Sequence, residues 1–109
     1  MNTEYLDINF DSNTLTAKIL GDIDHHLARS VREKIDSAIF EYKPSLVMLD
    51  LSAVDFMDSS GLGLILGRYN TCCELGADFK ILSPSRNVKR ILELAGIERL
   101  IKIEGDIRV

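Results

Sequence analysis

The chain has 109 residues, 46% apolar and 28% charged, and 17 acidic side chains outnumber 13 basic ones for a formal net charge of −4. That length supports one core and one domain, residues 1–109, and the composition is that of an ordinary globular protein rather than a disordered one. The basic residues are scattered, which argues against nucleic acid as a partner. No apolar run nears the ~20 residues of a membrane span and the start lacks a signal peptide's basic and apolar regions, so a cytoplasmic protein with no membrane partner is expected.

Tyr5, Ile8 and Phe10 precede the turn residues Ser12-Asn13, after which Leu15, Ala17 and Ile19 alternate with Thr14, Thr16 and Lys18, a pattern that predicts an antiparallel hairpin. Gly21-Asp22-Ile23-Asp24-His25-His26 reads as a polar loop with Asp24 placed to cap a helix. That helix runs from Leu27 with Val31, Ile35, Ala38, Ile39 and Tyr42 inward and Arg29, Arg32, Glu33 and Asp36 outward, and Pro44 ends it. Leu46 to Leu51 is apolar until Asp50, as in a central parallel strand covered on both faces.

The next helix follows Ser59, with Leu62, Ile65, Leu66, Tyr69, Cys72 and Cys73 inward, Arg68, Asn70 and Glu74 outward, and Gly76 as a left-handed cap. Phe79-Lys80-Ile81-Leu82 reads as the next strand. Val88, Ile91, Leu92 and Ala95 mark a short helix closed by Gly96, and Ile101-Lys102-Ile103 is a weak final strand. The order is strand, strand, helix, strand, helix, strand, helix and final strand, an α/β domain whose right-handed crossovers make the later strands parallel. The adjacent Cys72 and Cys73 diverge by roughly 100° on a helix, too far for a mutual disulfide, and are read as packing residues.

Several groupings could carry chemistry. Ser59 or Ser60 with His25 or His26 and Asp24 would form a hydrolase-like set, but the G-x-S-x-G elbow is missing and Asp58 beside the serines disfavours an oxyanion. Gly61, Gly63 and Gly67 have something of the spacing of a dinucleotide fingerprint, but they fall inside the helix, where Gly67 is expected to admit close approach to the sheet. His25-His26 alone makes no metal site. A strand–loop–helix switch remains, Asp58-Ser59-Ser60-Gly61-Leu62-Gly63, in which Ser59 or Ser60 would cap the helix. A cap alone would not require the bare positions after it, since glycine in a helix interior costs up to ~1 kcal/mol against alanine, and this points to a surface that another protein approaches closely.

Phe56-Met57-Asp58-Ser59-Ser60-Gly61-Leu62-Gly63, followed by Ile65-Leu66-Gly67-Arg68-Tyr69 and taken with Gly21-Asp22-Ile23-Asp24-His25-His26, resembles the STAS-domain anti-sigma factor antagonists. The likeness extends over almost the whole chain in element order and is strongest to the sporulation members of the sigma-F system. It implies a single STAS domain, with a small mixed β-sheet, an N-terminal hairpin and helices packed mainly on one face.

For function, the resemblance implies a regulator that is not an enzyme and needs no metal or cofactor. Its partners would be an anti-sigma factor serine kinase, bound with ATP or ADP, and a serine phosphatase. Unphosphorylated, it would bind the kinase and release the sigma factor; phosphorylation would fall on Ser59. Asp24, Asp58, Ser60, Gly61, Leu62 and Gly63 would form the partner surface. Asp22 stands where the family usually has glutamate, and so few residues follow Ile103 that a C-terminal helix is expected to be short or absent.

Overall fold

The computed structural model describes residues 2–105. Five strands form one sheet in the order β1-β2-β3-β4-β5: Leu6–Asp11, Thr14–Ile19, Leu46–Asp50, Asp78–Leu82 and Lys102–Glu104. Strand β1 is antiparallel to β2, and every later neighbour is parallel. Ser12 and Asn13, at φ 51° and 65°, make the two-residue left-handed turn that matches a hairpin's twist. Helices α1 (His25–Tyr42), α2 (Ser59–Leu75) and α3 (Arg86–Leu94) form the crossovers, and a 3-10 turn, Ile97–Arg99, leads into β5. Because each parallel crossover steps the same way across the sheet, right-handed connections put their helices on one face.

That rule corrects the reading of β3. Val47 and Leu49 are buried while Leu46, Met48 and Asp50 are half-buried, so only one face of the strand is closed. In register with Val47 and Leu49 lie Leu15 and Ala17 on one side and Phe79 and Ile81 on the other, giving a continuous apolar floor. Above it, α1 buries Ala28, Val31, Ile35, Ala38 and Ile39. Ile23, Leu51, Val54 and Met57, all from loops, are also buried and tie the connections to the core. The final strand forms, though only three residues long. The expectation about a C-terminal helix falls outside the described residues.

Helix α1 begins two residues earlier than the pattern suggested, so His25 and His26 form its first turn rather than a loop. It ends at Lys43, left-handed at φ 49°, before Pro44. Tyr42 is exposed rather than inward and stacks on Phe10 with ring centroids 4.7 Å apart. The buried side of α2 is also rotated from the expected one: Gly61, Leu64, Ile65, Arg68 and Cys72 face in, Leu62, Leu66 and Tyr69 are half-buried, and Cys73 is exposed. Burial pushes the Cys72 thiol up to about 11, which keeps it protonated and inert, as befits a packing residue.

Arg68 turns inward because α1 supplies a carboxylate, Asp36, itself half-buried rather than outward. Arg68 Nε stands 2.8 Å from Asp36 Oδ1, with its N–H out of line with that oxygen, and Nη1 donates to the Leu64 carbonyl at 3.4 Å. Burial draws the guanidinium pKa below its ordinary value, and Asp36 opposes that shift. This pair joins the two central helices.

Replacing Asp36 by Ala should strand the Arg68 charge and cost about 1–3 kcal/mol in urea denaturation, less than a wholly buried pair because the Asp36 side chain is 30% exposed. Arg68→Met, which removes the charge and keeps the bulk, should cost less than Asp36→Ala.

Candidate functional site

The loops after β2 and β3 leave neighbouring parallel strands at their carboxyl ends, and they are joined by backbone pairing. Ile23 N–H donates to the Phe56 carbonyl and Asp58 N–H to the Ile23 carbonyl, both at 3.1 Å, which makes a bridge between Ile23 and Met57. Asp22 braces the same junction: its Oδ1 accepts from the N–H groups of Asp55 and Phe56, each at 3.0 Å. Ile23 and Met57 point into the core, so the alternation leaves Asp22, Asp24, Phe56 and Asp58 on the outside.

Both helices start from this junction with an aspartate cap. Asp24 Oδ1 accepts from Leu27 N–H at 2.8 Å at the head of α1, and Asp58 Oδ1 accepts from Ser60 N–H at 2.7 Å at the head of α2. The cap of α2 is therefore Asp58 and neither serine; Ser59 and Ser60 are the first two residues of the helix. An acceptor-only carboxylate with two oxygens serves the first-turn N–H groups at least as well as a hydroxyl, which leaves the Ser59 hydroxyl outside the cap. Ser59 is exposed and Ser60 half-buried. The bond from Leu27 holds the Asp24 carboxyl below its ordinary value of 3.8, against a smaller opposing effect of desolvation.

The glycines divide into two kinds. A Cβ on Gly61 would come within 2.8 Å of the Met57 Cβ and Sδ, so Gly61 is buried and bare for the sake of the core. Gly63 and Gly67 have open space where a Cβ would stand, so close approach of α2 to the sheet does not explain Gly67. Leu62 is half-buried and Gly63 exposed on the same first turn. Asp24, Asp58, Ser59, Ser60, Leu62 and Gly63 thus share one rim, with Gly61 beneath it.

Of the competing chemistries, the hydrolase-like set comes together only in part: His25 and Ser60 line one groove between α1 and α2. His25 and His26 are exposed, with ring centroids 6.0 Å apart, and among the described residues neither histidine hydrogen-bonds to Ser59 or Ser60. The three glycines lie within α2 rather than in the turn before it, and no group of three potential metal ligands occurs among the described residues. Among those residues, no helix is long and apolar enough to cross a membrane. Two residues beside the rim were quoted in the sequence motifs but given no role there: Asp22, which braces the loops, and Phe56, which is 55% exposed. Phe56 had a local signal, an aromatic residue between the buried Val54 and Met57; Asp22 had none, since its partners lie in the other loop.

Residues 5–108 match the model of the STAS domain. The chain is 32% identical over 98 residues to the anti-sigma F factor antagonist of Paenibacillus polymyxa, covering 90% of this chain and 84% of that one. It is 29% identical over 100 residues to the anti-sigma-B factor antagonist of Bacillus subtilis, covering 92% and 90%. Among solved structures it resembles the anti-sigma factor antagonist SpoIIAA in its unphosphorylated form, at TM-score 0.79 and 27% identity over 91% of this chain and 87% of the other. The phosphorylated form of SpoIIAA from Bacillus superimposes at TM-score 0.72 and 26% identity, over 91% and 90%.

A depressed carboxylate pKa stabilises the fold above its unfolded value and ceases to do so as pH falls through the lower folded value. Asp24 should therefore titrate below 3.8 in carboxyl NMR spectra. The stability advantage of the wild type over Asp24→Ala should be full near pH 6 and shrink on acidification from about pH 4 downward. Gly61→Ala should cost about 1–3 kcal/mol from overpacking against Met57, whereas Gly63→Ala should gain up to ~1 kcal/mol, both read by urea denaturation.

Proposed function

The chain belongs to the STAS-domain family, and from that premise we propose that it is an anti-sigma factor antagonist controlled by phosphorylation of Ser59. It is a regulator rather than an enzyme, acts in the cytosol, and is itself the substrate of its partner. Unphosphorylated, it binds an anti-sigma factor serine kinase, in its ATP- or ADP-bound state, and displaces the sigma factor; the kinase transfers phosphate from ATP to Ser59, and a serine phosphatase restores the free hydroxyl.

The observation that carries this reading is the position of Ser59. It is an exposed hydroxyl on the first residue of α2, left out of the cap by Asp58, the residue whose N–H ties this loop to Ile23 of the other. A kinase can reach such a hydroxyl without opening the fold. A phosphate there adds about −1.5 to −2 charges at a helix N-terminus, whose unpaired N–H groups and dipole tolerate an anion. The protein therefore keeps its structure. A docked partner, by contrast, has to desolvate the new charge or meet it with its own groups, beside Asp24 and Asp58, at a cost of several kcal/mol, enough to release the complex. Asp24, Asp58, Ser60, Leu62 and Gly63 form the partner surface around Ser59, and Gly61 supports it from beneath.

We favour the sporulation sigma factor of the sigma-F system, on the Asp24-His25-His26 motif and the likeness to the Paenibacillus polymyxa antagonist. The comparable likeness to the Bacillus subtilis anti-sigma-B antagonist supports a second reading, a general-stress antagonist of the same fold. Copurification of the anti-sigma factor and identification of the sigma factor it holds separates the two.

Incubation with ATP and the anti-sigma kinase of the same organism should add one phosphate by intact mass, absent in Ser59→Ala. Phosphate that persists in Ser59→Ala would move the site, to Ser60 or elsewhere. Amide shifts on phosphorylation should be confined to the rim and the first turn of α2; changes spread through the core would contradict a switch without rearrangement.

A further inference from the structure

Between the N-terminal halves of α1 and α2 lies an open groove of about 530 Å³, one wall carrying Arg29 and Arg32 and the other Gly63, Gly67 and Arg68. Three observations set it apart from the rest of a chain whose net charge is negative. First, its charge is positive: Arg29 has only a 3.9 Å contact with Glu33 between side chains that are 75% and 66% exposed, too weak to neutralise it, and Arg32 has no ion-pair partner among the described residues. Second, the Arg68 side chain borders the groove while only 8% exposed, with the half-buried Asp36 at 2.8 Å as its counter-charge. Arg32 is close enough for its charge to act on Arg68, so two like charges face a common space with a single carboxylate to offset them.

Third, Gly63 and Gly67 stand one turn apart within α2, where glycine is less favourable than alanine, and nothing in the fold occupies the place of a side chain at either. Their bareness leaves a strip of backbone about 6 Å long, the length of roughly two residues of extended chain. An enclosed pocket would suit a small free anion. This groove is open to solvent rather than enclosed, has bare helix backbone beside its arginines, and includes Ser60, the residue after the proposed phosphorylation site.

We infer that the groove is the docking site for an acidic polypeptide segment of the partner protein, with an Asp or Glu carboxylate between Arg32 and Arg68 and its backbone along Gly63 and Gly67. Identifying that partner with the anti-sigma factor kinase rests on the function proposed above. The interface then has two electrostatic halves divided at Ser59 and Ser60: an acidic rim on the loops, which selects cations, and a basic groove between the helices, which selects an acidic segment.

The test uses the whole chain in two arms. In the first, the isotope-labelled protein is titrated with hexaglutamate, and separately with inorganic phosphate, at about 150 mM salt, where exposed charges are screened beyond ~8 Å. Hexaglutamate should give saturable amide shifts at Ser60, Gly63 and Gly67 that vanish in Arg32→Glu and persist in Lys43→Glu, the same charge change at the far end of α1. Absence of these shifts overturns the site. Phosphate saturating the same amides as tightly overturns the choice of a polypeptide. In the second arm, calorimetry with the anti-sigma kinase should show Arg32→Glu and Gly67→Gln each weakening the complex about tenfold or more, while Gly67→Gln melts no lower than wild type, as a better helix former should. Unchanged affinity in both variants overturns the assignment of the kinase to this groove. Failure of the wild type to bind the kinase, with hexaglutamate still saturating the groove, refutes the proposed function and supports the site.

Discussion

The surface of this protein depends on one short piece of backbone pairing, the bridge between Ile23 and Met57. It joins two loops that belong to different crossovers, and Asp22 reinforces it with two further bonds from the partner loop. Adjacent parallel strands bring both loops to the same end of the sheet, but only the bridge sets their register. Once it forms, the alternation of an extended chain does the rest: Ile23 and Met57 enter the core, and their neighbours Asp22, Asp24, Phe56 and Asp58 remain outside. Gly61 follows from the same constraint, since Met57 occupies the space its side chain would need.

The bridge also creates an electrostatic difficulty and brings its answer. It places the N-termini of two helices next to each other, each equivalent to roughly half a positive charge, so the two ends repel. Both caps are aspartates, which satisfy first-turn N–H groups and offset the two positive ends. That choice of cap has a chemical consequence. With carboxylates doing the capping, the serine that follows Asp58 keeps its hydroxyl outside the cap, at a place where the backbone accepts an anion and the neighbouring side chains do not. Further along the same helices the sign reverses, and Arg32 and Arg68 face a common groove. A net charge of −4 conceals this division, which bears on which partners the surface admits.

Much of the architecture was legible in the sequence. The hairpin followed from alternation on either side of Ser12-Asn13, the cap of α1 from Asp24, its end from Pro44, and the strand–loop–helix switch from an apolar run that breaks into Asp-Ser-Ser-Gly. These signals are local, because a turn conformation, a cap or a side-chain period depends on residues a few positions apart. Errors began where a partner came from elsewhere in the chain. Strand β3 is apolar enough to be covered twice but is closed once, because crossovers stepping one way leave the other face open. The caps at Asp58 and the serines could not be separated by spacing, and the geometry chose the carboxylate.

Helix α2 shows most sharply where local information ends. It is apolar around much of its circumference, so its period allowed several inward faces, and an arginine is by default placed outside. By itself the sequence determined the elements, their order, the capping aspartate of α1 and the serine-bearing turn at the head of α2, because each is set by near neighbours along the chain. The tertiary structure alone decided that Arg68 turns inward to Asp36, that Asp22 braces the opposite loop, and that a basic groove lies beside an acidic rim. Each of these depends on side chains distant in sequence, and burial of a charge becomes affordable only where the fold delivers its counter-charge.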